Sequence, residues 1–372
     1  MPKRAYVFDK GLLFSTLSLV GIGLLAVYSA GVGKAFVGEV PSPGYWLFKQ
    51  LVAFIIGFVA GFVAYRSSID TIKLLAYPIY FLAIGLLVLL YVPGFGVTIN
   101  YSTRWIEIAG QSFQPSELAK VGLILSTASY LSAREPRRMS VKEVLKLFLM
   151  FGVPAILVLR SPDLGSTIVI LTIFITQYFL SGAPMWGLIF LGALFVLGVL
   201  YESLTRVAYW KDRVTAWLDP LNPNLSDNVS YQMVQSLIAI ANGGFFGSGL
   251  FYGQQKFGRL PMVESDFVFS LVVEELGFVG AVFVIAMFAL FVVRAIRIAS
   301  RSKNLFSYLV ALGIGLHIGL QGFINMAVAT GLLPVTGVTL PFLSAGGTSL
   351  IVNMLEVGIL FAIDRNNRQE LT

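Results

Sequence analysis

Polar positions in this chain are sparse and grouped, and apolar runs fill the space between them. The runs lie near 11–31, 47–65, 74–92, 115–132, 145–160, 165–181, 185–201, 267–293, 306–332 and 341–363. About 20 apolar residues cross a hydrocarbon core roughly 30 Å thick. The pattern therefore predicts an all-α integral membrane protein with about ten transmembrane helices. Only the short SPDLGS break separates the fifth and sixth spans. The first run is too long for the apolar core of a signal peptide and lacks a small-residue cleavage site, so it counts as a span. A mixed Gly, Pro, Ser and Thr stretch at 330–350 reads as a re-entrant loop beside a polar cavity, because irregular backbone at membrane depth must be buried or line a cavity.

An even number of spans places both termini on one side. With the N-terminus inside, the segments before the first span and at 66–73, 134–146, 294–303 and 365–368 hold sixteen of the 26 Lys and Arg residues. The positive-inside rule then favours an N-in, C-in topology. One long extracytoplasmic loop follows, about 202–266, between spans seven and eight. It carries Arg206, Lys211, Arg213, Lys256 and Arg259, and it is too long to be a mere connection. Within it, 231–241 is amphipathic and predicts an interfacial helix. Glycines 243, 244, 247, 249 and 253 predict a tight, mobile turn. The sequence shows no internal repeat and no second soluble domain, so residues 1–372 read as one polytopic unit.

Composition sharpens this. The 372 residues are 57% hydrophobic and 12% charged, with mean hydropathy +0.83, where soluble proteins carry about 25% charge. There is no cysteine, which excludes disulfides and thiol chemistry. His317 is the lone histidine; it reads as a packed polar residue of the ninth span. Any bound metal must be held by carboxylates, which points to Mg²⁺, Mn²⁺ or Ca²⁺. The net charge of +7 fits loops against anionic lipid rather than a nucleic-acid surface.

Two polar clusters carry the candidate chemistry. RWIEIAGQSFQPSELAK holds Arg104, Trp105, Gln114, Ser116, Glu117 and Lys120; RLPMVESDFVFSLVVEELG holds Arg259, Glu264, Asp266, Glu274 and Glu275. An ionisable group in hydrocarbon costs roughly 2.5–3.5 kcal/mol on insertion scales, so such groups persist where they are paired, hydrated or useful. Each has a plainer reading. Pro115 opens a helix, Gln114 or Ser116 caps it, and Glu117 and Lys120 at i, i+3 form a structural pair. Asp266 sits where the eighth span begins; it is either an N-cap or a proton acceptor whose pKa partial burial raises. Glu274 and Glu275 read as polar glue between helices. Arg160 and Asp163 read as a local pair shaping a turn. Gly57 and Gly61 form a GxxxG pattern suited to close helix packing.

RWIEIAGQSFQPSELAK, SPDLGSTIV, YQMVQSLIAIANGGFFGSG, SDFVFSLVVEELGFVGA and GLLPVTGVTLPFLSAGGTSL occur in this order at span boundaries over essentially the whole chain. Together they resemble the SEDS family (shape, elongation, division, sporulation). The resemblance implies a peptidoglycan glycosyltransferase of the bacterial cytoplasmic membrane. Such an enzyme polymerises lipid II, an undecaprenyl-pyrophosphate-linked disaccharide peptide, with its active site on the outer face. It also implies a class B penicillin-binding protein as partner, alongside other membrane proteins of the division or elongation machinery. The family's essential aspartate corresponds to Asp266, expected as general base or as ligand to a divalent cation. Arg104, Lys120 and Arg259 are expected on the pyrophosphate, with Glu117 positioning Lys120 and Trp105 against sugar or lipid. Gln114 and Ser116 complete the family's QPSE motif.

Two departures stand out. Met262 and Glu264 occupy positions where the family usually has an acidic residue and a histidine, and Ala345 replaces the tyrosine of the SYGG motif. VPGFGVTIN and the GQQK segment look closer to the division branch, FtsW, than to the elongation branch, RodA. Two other classes remain open: a flippase for lipid-linked precursors, which should carry polar residues through to the inner side, and a non-catalytic scaffold.

Overall fold

The computed structural model describes residues 8–369 apart from 100–101, 109–110, 191, 194–197, 199–206 and 221–226. The polar residues that interrupt the apolar runs start the helices. Helix α1 (Lys10–Phe36) is capped by Asp9, whose carboxylate accepts from the Leu12 amide at 2.9 Å. Helices α2 (Tyr45–Arg66) and α3 (Ile69–Leu89) follow, α3 capped by Ser68. Helix α4 (Pro115–Ser132) has Pro115 in its first turn, where its missing N–H costs nothing. Helix α5 (Val141–Arg160) opens on a reciprocal Ser140–Glu143 capping box, and α6 (Leu164–Leu180) on Asp163. The loop beyond the seventh expected span holds α7 (Val207–Leu218) and α8 (Asp227–Gly243). Helices α9 (Val268–Ser300), α10 (Leu305–Ala329) and α11 (Gly347–Gln369) complete the chain.

Six of these, α1, α2, α3, α9, α10 and α11, are long and apolar enough to cross a membrane. Helices α4, α5 and α6 fall where spans were expected; of the expected span at 185–201, residues 185–190 are helical and eight of the seventeen positions lie outside the described residues. Cross-fold contacts fix the alternation. At one end Arg294 of α9 pairs with Asp9 at 3.6 Å, Asn367 of α11 donates to Ile298 O, and Arg365 donates to Ser67 O. At the other end Gln50 of α2 donates to Ser344 O, and Lys34 of α1 approaches Glu264 at 3.7 Å. The basic segments at 66–73, 134–146, 294–303 and 365–368 gather at the first end.

The interior is built around α4, buried along nearly all its length against α3, α6 and α10. Helices α2 and α3 present Phe58, Phe62, Leu74 and Phe81 outward, as lipid-facing helices do. The GxxxG pattern is used: Gly57 and Gly61 lie against α11, and a Cβ at Gly61 would collide with the Met354 carbonyl.

A small antiparallel sheet departs from the purely helical expectation. Strands β1 (Gly96–Ile99), β2 (Ser102–Ile108) and β3 (Gln111–Phe113) pair in that order, with Val97 opposite Trp105 and Ile106 opposite Phe113. The alternation of STRWIEI buries Arg104 and Ile106 on one face, as the two-residue period of a strand dictates. The second loop expectation holds in part. Residues 231–241 lie in helix α8, and Gly244, Gly247 and Gly249 take positive φ. The turn is tied to α9, because Ser248 and Gly249 amides donate to Glu274 O and Glu275 O at 2.9 and 3.1 Å.

Candidate active site

The start of α4, the start of α9, strand β2 and the irregular segment between α10 and α11 converge on one cavity. Its volume is about 140 Å³. Pockets that enclose a whole ligand run to roughly 300–1,000 Å³, so this one is sized to grip reacting groups. Arg104, Trp105, Gln114, Arg213 and Asp266 line it, together with Gln232, Gly337, Thr339, Thr348 and Ser349.

Asp266 precedes the first turn of α9. Its backbone is held from both sides: its amide donates to Met262 O at 3.0 Å, and Asn325 of α10 donates to its carbonyl at 2.9 Å. The carboxylate faces the cavity yet is ringed by protein. Burial pushes its pKa up to about 6, Arg104 and Arg213 oppose that rise, and the Glu264 carboxylate adds to it. The plain N-cap reading fails, since α9 begins without a side-chain capping bond.

Arg104 is a buried clamp. Its guanidinium donates to the carbonyls of Ser161 and Pro162 before α6 and, at 3.4 Å each, to Thr336 and Gly337 O; Asp163 lies 3.8 Å away. Asp163 thus reaches beyond its expected local turn, bridging to β2 while its Oδ1 caps α6 at 3.1 Å. Gly337 closes the arrangement with φ 73°; a Cβ there would stand 2.8 Å from Arg104 Nη1 and 3.6 Å from Asp266 Oδ2. Only glycine takes that conformation without strain. Arg213 of α7 donates to Val335 O and lines the same wall.

The other expected residues fall elsewhere. Ser116, Glu117 and Lys120 are buried behind the cavity. Lys120 Nζ donates to Glu117 Oε1 at 2.8 Å and to Gln321 Oε1, and Gln321 Nε2 reaches Thr339 O and Oγ1 at 3.1 Å. Arg259 is exposed and does not line the cavity. Glu264 turns toward Lys34, and burial raises its pKa more than that ammonium lowers it. Glu274 accepts from the amides of Gln254 and Gln255, while Glu275 pairs with Lys256 at 2.8 Å and accepts from Ser29 at 2.5 Å. Both are polar glue, as expected. The cavity also draws in Arg213 and Thr339, which the sequence does not mark; Arg213 shows there only as one basic residue of a long loop. For a divalent cation the lining offers a single carboxylate between two guanidinium groups, and no cluster of three acidic or histidine ligands exists among the described residues. That donor set makes no metal cage.

The fold and site define a multi-pass membrane protein whose polar chemistry gathers in one cavity at one end of its helices. The chain belongs to the FtsW/RodA/SpoVE family, described as cell cycle proteins, whose model matches residues 10–369. A protein of Geobacter sp. (strain M18) named probable peptidoglycan glycosyltransferase FtsW is 36% identical over 367 residues, covering 98% of this chain and 99% of its own. A protein of the same name from Nitrosomonas europaea is 38% identical over 369 residues, covering 97% and 93%. A chain from a solved structure on structural coordination of polymerization and crosslinking by a peptidoglycan synthase complex superposes with TM-score 0.77 at 29% identity, over 98% of this chain and 100% of that chain. The rod shape determining protein RodA of Thermus thermophilus superposes with TM-score 0.69 at 29% identity, over 98% and 99%.

Proposed function

We infer that this chain is a peptidoglycan glycosyltransferase that polymerises lipid II in the bacterial cytoplasmic membrane, on the division side of its family. The observation that carries the reaction is Asp266, a carboxylate with its pKa raised to about 6, facing the cavity beside Arg104 and Arg213. The acceptor sugar's 4-hydroxyl oxygen attacks the anomeric carbon of the donor. Asp266 takes the hydroxyl proton, a role suited to a base whose pKa lies near the working pH. The bond from the anomeric carbon to the pyrophosphate breaks, and the lipid pyrophosphate leaves with the electron pair. Arg104 and Arg213 face that developing charge; fixed positive groups stabilise it without reorganising. Arg104 and Arg213 both already donate to backbone carbonyls, so each contributes its field from a fixed position.

The basic segments lie at the end opposite the cavity. With those segments inside, the cavity opens on the extracytoplasmic face, where sugars meet water and the lipid tail stays in the bilayer. The partner is a class B penicillin-binding protein that crosslinks the nascent glycan, consistent with the related complex that coordinates the two activities. Arg213→Gln should lower the rate of lipid II polymerisation at least tenfold, while Arg259→Gln stays within about twofold of wild type. Equal losses in the two variants, read from glycan ladders, would remove Arg213 from the site.

A further inference from the structure

Behind the cavity wall, five polar side chains from three helices, Glu117, Lys120, His317, Gln321 and Glu356, form a continuous buried chain that the proposed chemistry leaves unused. Gln321 of α10 is its hub. Its orientation is forced: Lys120 Nζ has only protons to give, so the atom facing it is Oε1, and Thr339 O only accepts, so the atom facing that is Nε2. One turn earlier on α10, His317 Nε2 lies 3.0 Å from the same Oε1. Since that oxygen only accepts, Nε2 carries a proton. His317 Nδ1 faces Glu356 Oε1 of α11 at 2.8 Å, so one further proton lies between these two atoms. Whichever atom holds it, the His317–Glu356 pair is neutral in sum, as is the Lys120–Glu117 pair. Net neutrality is what lets so many ionisable groups sit fully buried in a membrane protein.

The chain ends at a cavity-lining residue, Thr339. The partner on one ring nitrogen sets what the other does: a Glu356 that shares a proton with Nδ1 leaves Nε2 protonated and donating to Gln321. We propose that His317 and Glu356 are positioning residues for polymerisation. Glu356 holds the Nε2–H tautomer of His317, His317 holds Gln321, and Gln321 holds Thr339 in the cavity wall and Lys120 behind it. This rests on the glycosyltransferase reading above.

The test separates positioning from packing. In Glu356→Gln the amide N–H donates to Nδ1 and the Nε2–H bond to Gln321 survives, so polymerisation should stay within about twofold of wild type. In Glu356→Leu the tautomer is released and kcat/KM should fall at least tenfold. Because His317 is the single histidine, ¹⁵N-histidine labelling reports this ring alone. Its Nε2 should be protonated in wild type and Glu356→Gln, and its resonance should shift when lipid II is added to the wild type. Wild-type activity in Glu356→Leu, or loss in Glu356→Gln equal to that in Glu356→Leu, overturns the proposal. An Nε2 resonance indifferent to lipid II does so as well, and that arm needs no variant to fold. If the wild type itself makes no glycan, it is the glycosyltransferase reading that falls.

Discussion

In the proposed mechanism, Asp266 is where residue chemistry and function meet. Burial raises its pKa to about 6, so the ionised, proton-accepting form grows as pH rises through that value. The polymerisation rate should therefore climb between about pH 5 and 7 and level off above; a profile flat across that window would contradict the base assignment. The sign for stability is opposite. A carboxylate with a raised folded-state pKa stabilises the fold most below its unfolded pKa of about 3.9, and that contribution is lost as pH rises through 6. Asp266→Asn should accordingly melt higher than wild type above pH 7, with the difference shrinking in acid. Asp266 and Arg104 were legible in the sequence because a charged residue beside an apolar run must be explained. Arg213 was not, since nothing local separates it from the other basic residues of a solvated loop. The His317–Glu356 contact was not either, because it forms between helices 39 positions apart.

At the scale of elements, helix ends were legible and their bends were not. Capping residues and apolar length place α4 where the sequence puts it and most other described helices within a few residues. Gly277 shows what the pattern hides. It sits inside α9 with φ 69° and ψ −164°, a conformation open essentially to glycine alone, and hydropathy alone reads straight through it. The kink lets the 245–247 turn pack directly against the helix, next to the two glutamates that anchor the loop ahead of Asp266. Gly277→Ala should cost about 1–3 kcal/mol from backbone strain and more from collision with that turn. A melting temperature several degrees lower in detergent would bear this out; an unchanged one would mean the kink moves freely. The small sheet was missed for a related reason. Strands as short as three residues leave too few alternating positions to stand out between two membrane spans, yet β2 is what carries Arg104 under the cavity.

For the whole molecule, the organising feature is the separation of charge. Basic segments gather at one end of the helices, and Asp266 with its guanidinium neighbours sits at the other, with an apolar surface between them. That polarity suits a polymerase whose lipid-linked substrate stays anchored in the bilayer. It also places the loop 244–260, tied down by Glu274 and Glu275, at the same end as the cavity. The most direct test is polymerisation of labelled lipid II by purified wild type and Asp266→Asn, each with its class B penicillin-binding protein whose crosslinking is blocked. Glycan ladders from the wild type alone, with both proteins folded by thermal melting, are the expected result; ladders of equal length and rate from Asp266→Asn would contradict the assignment of Asp266 as the catalytic base.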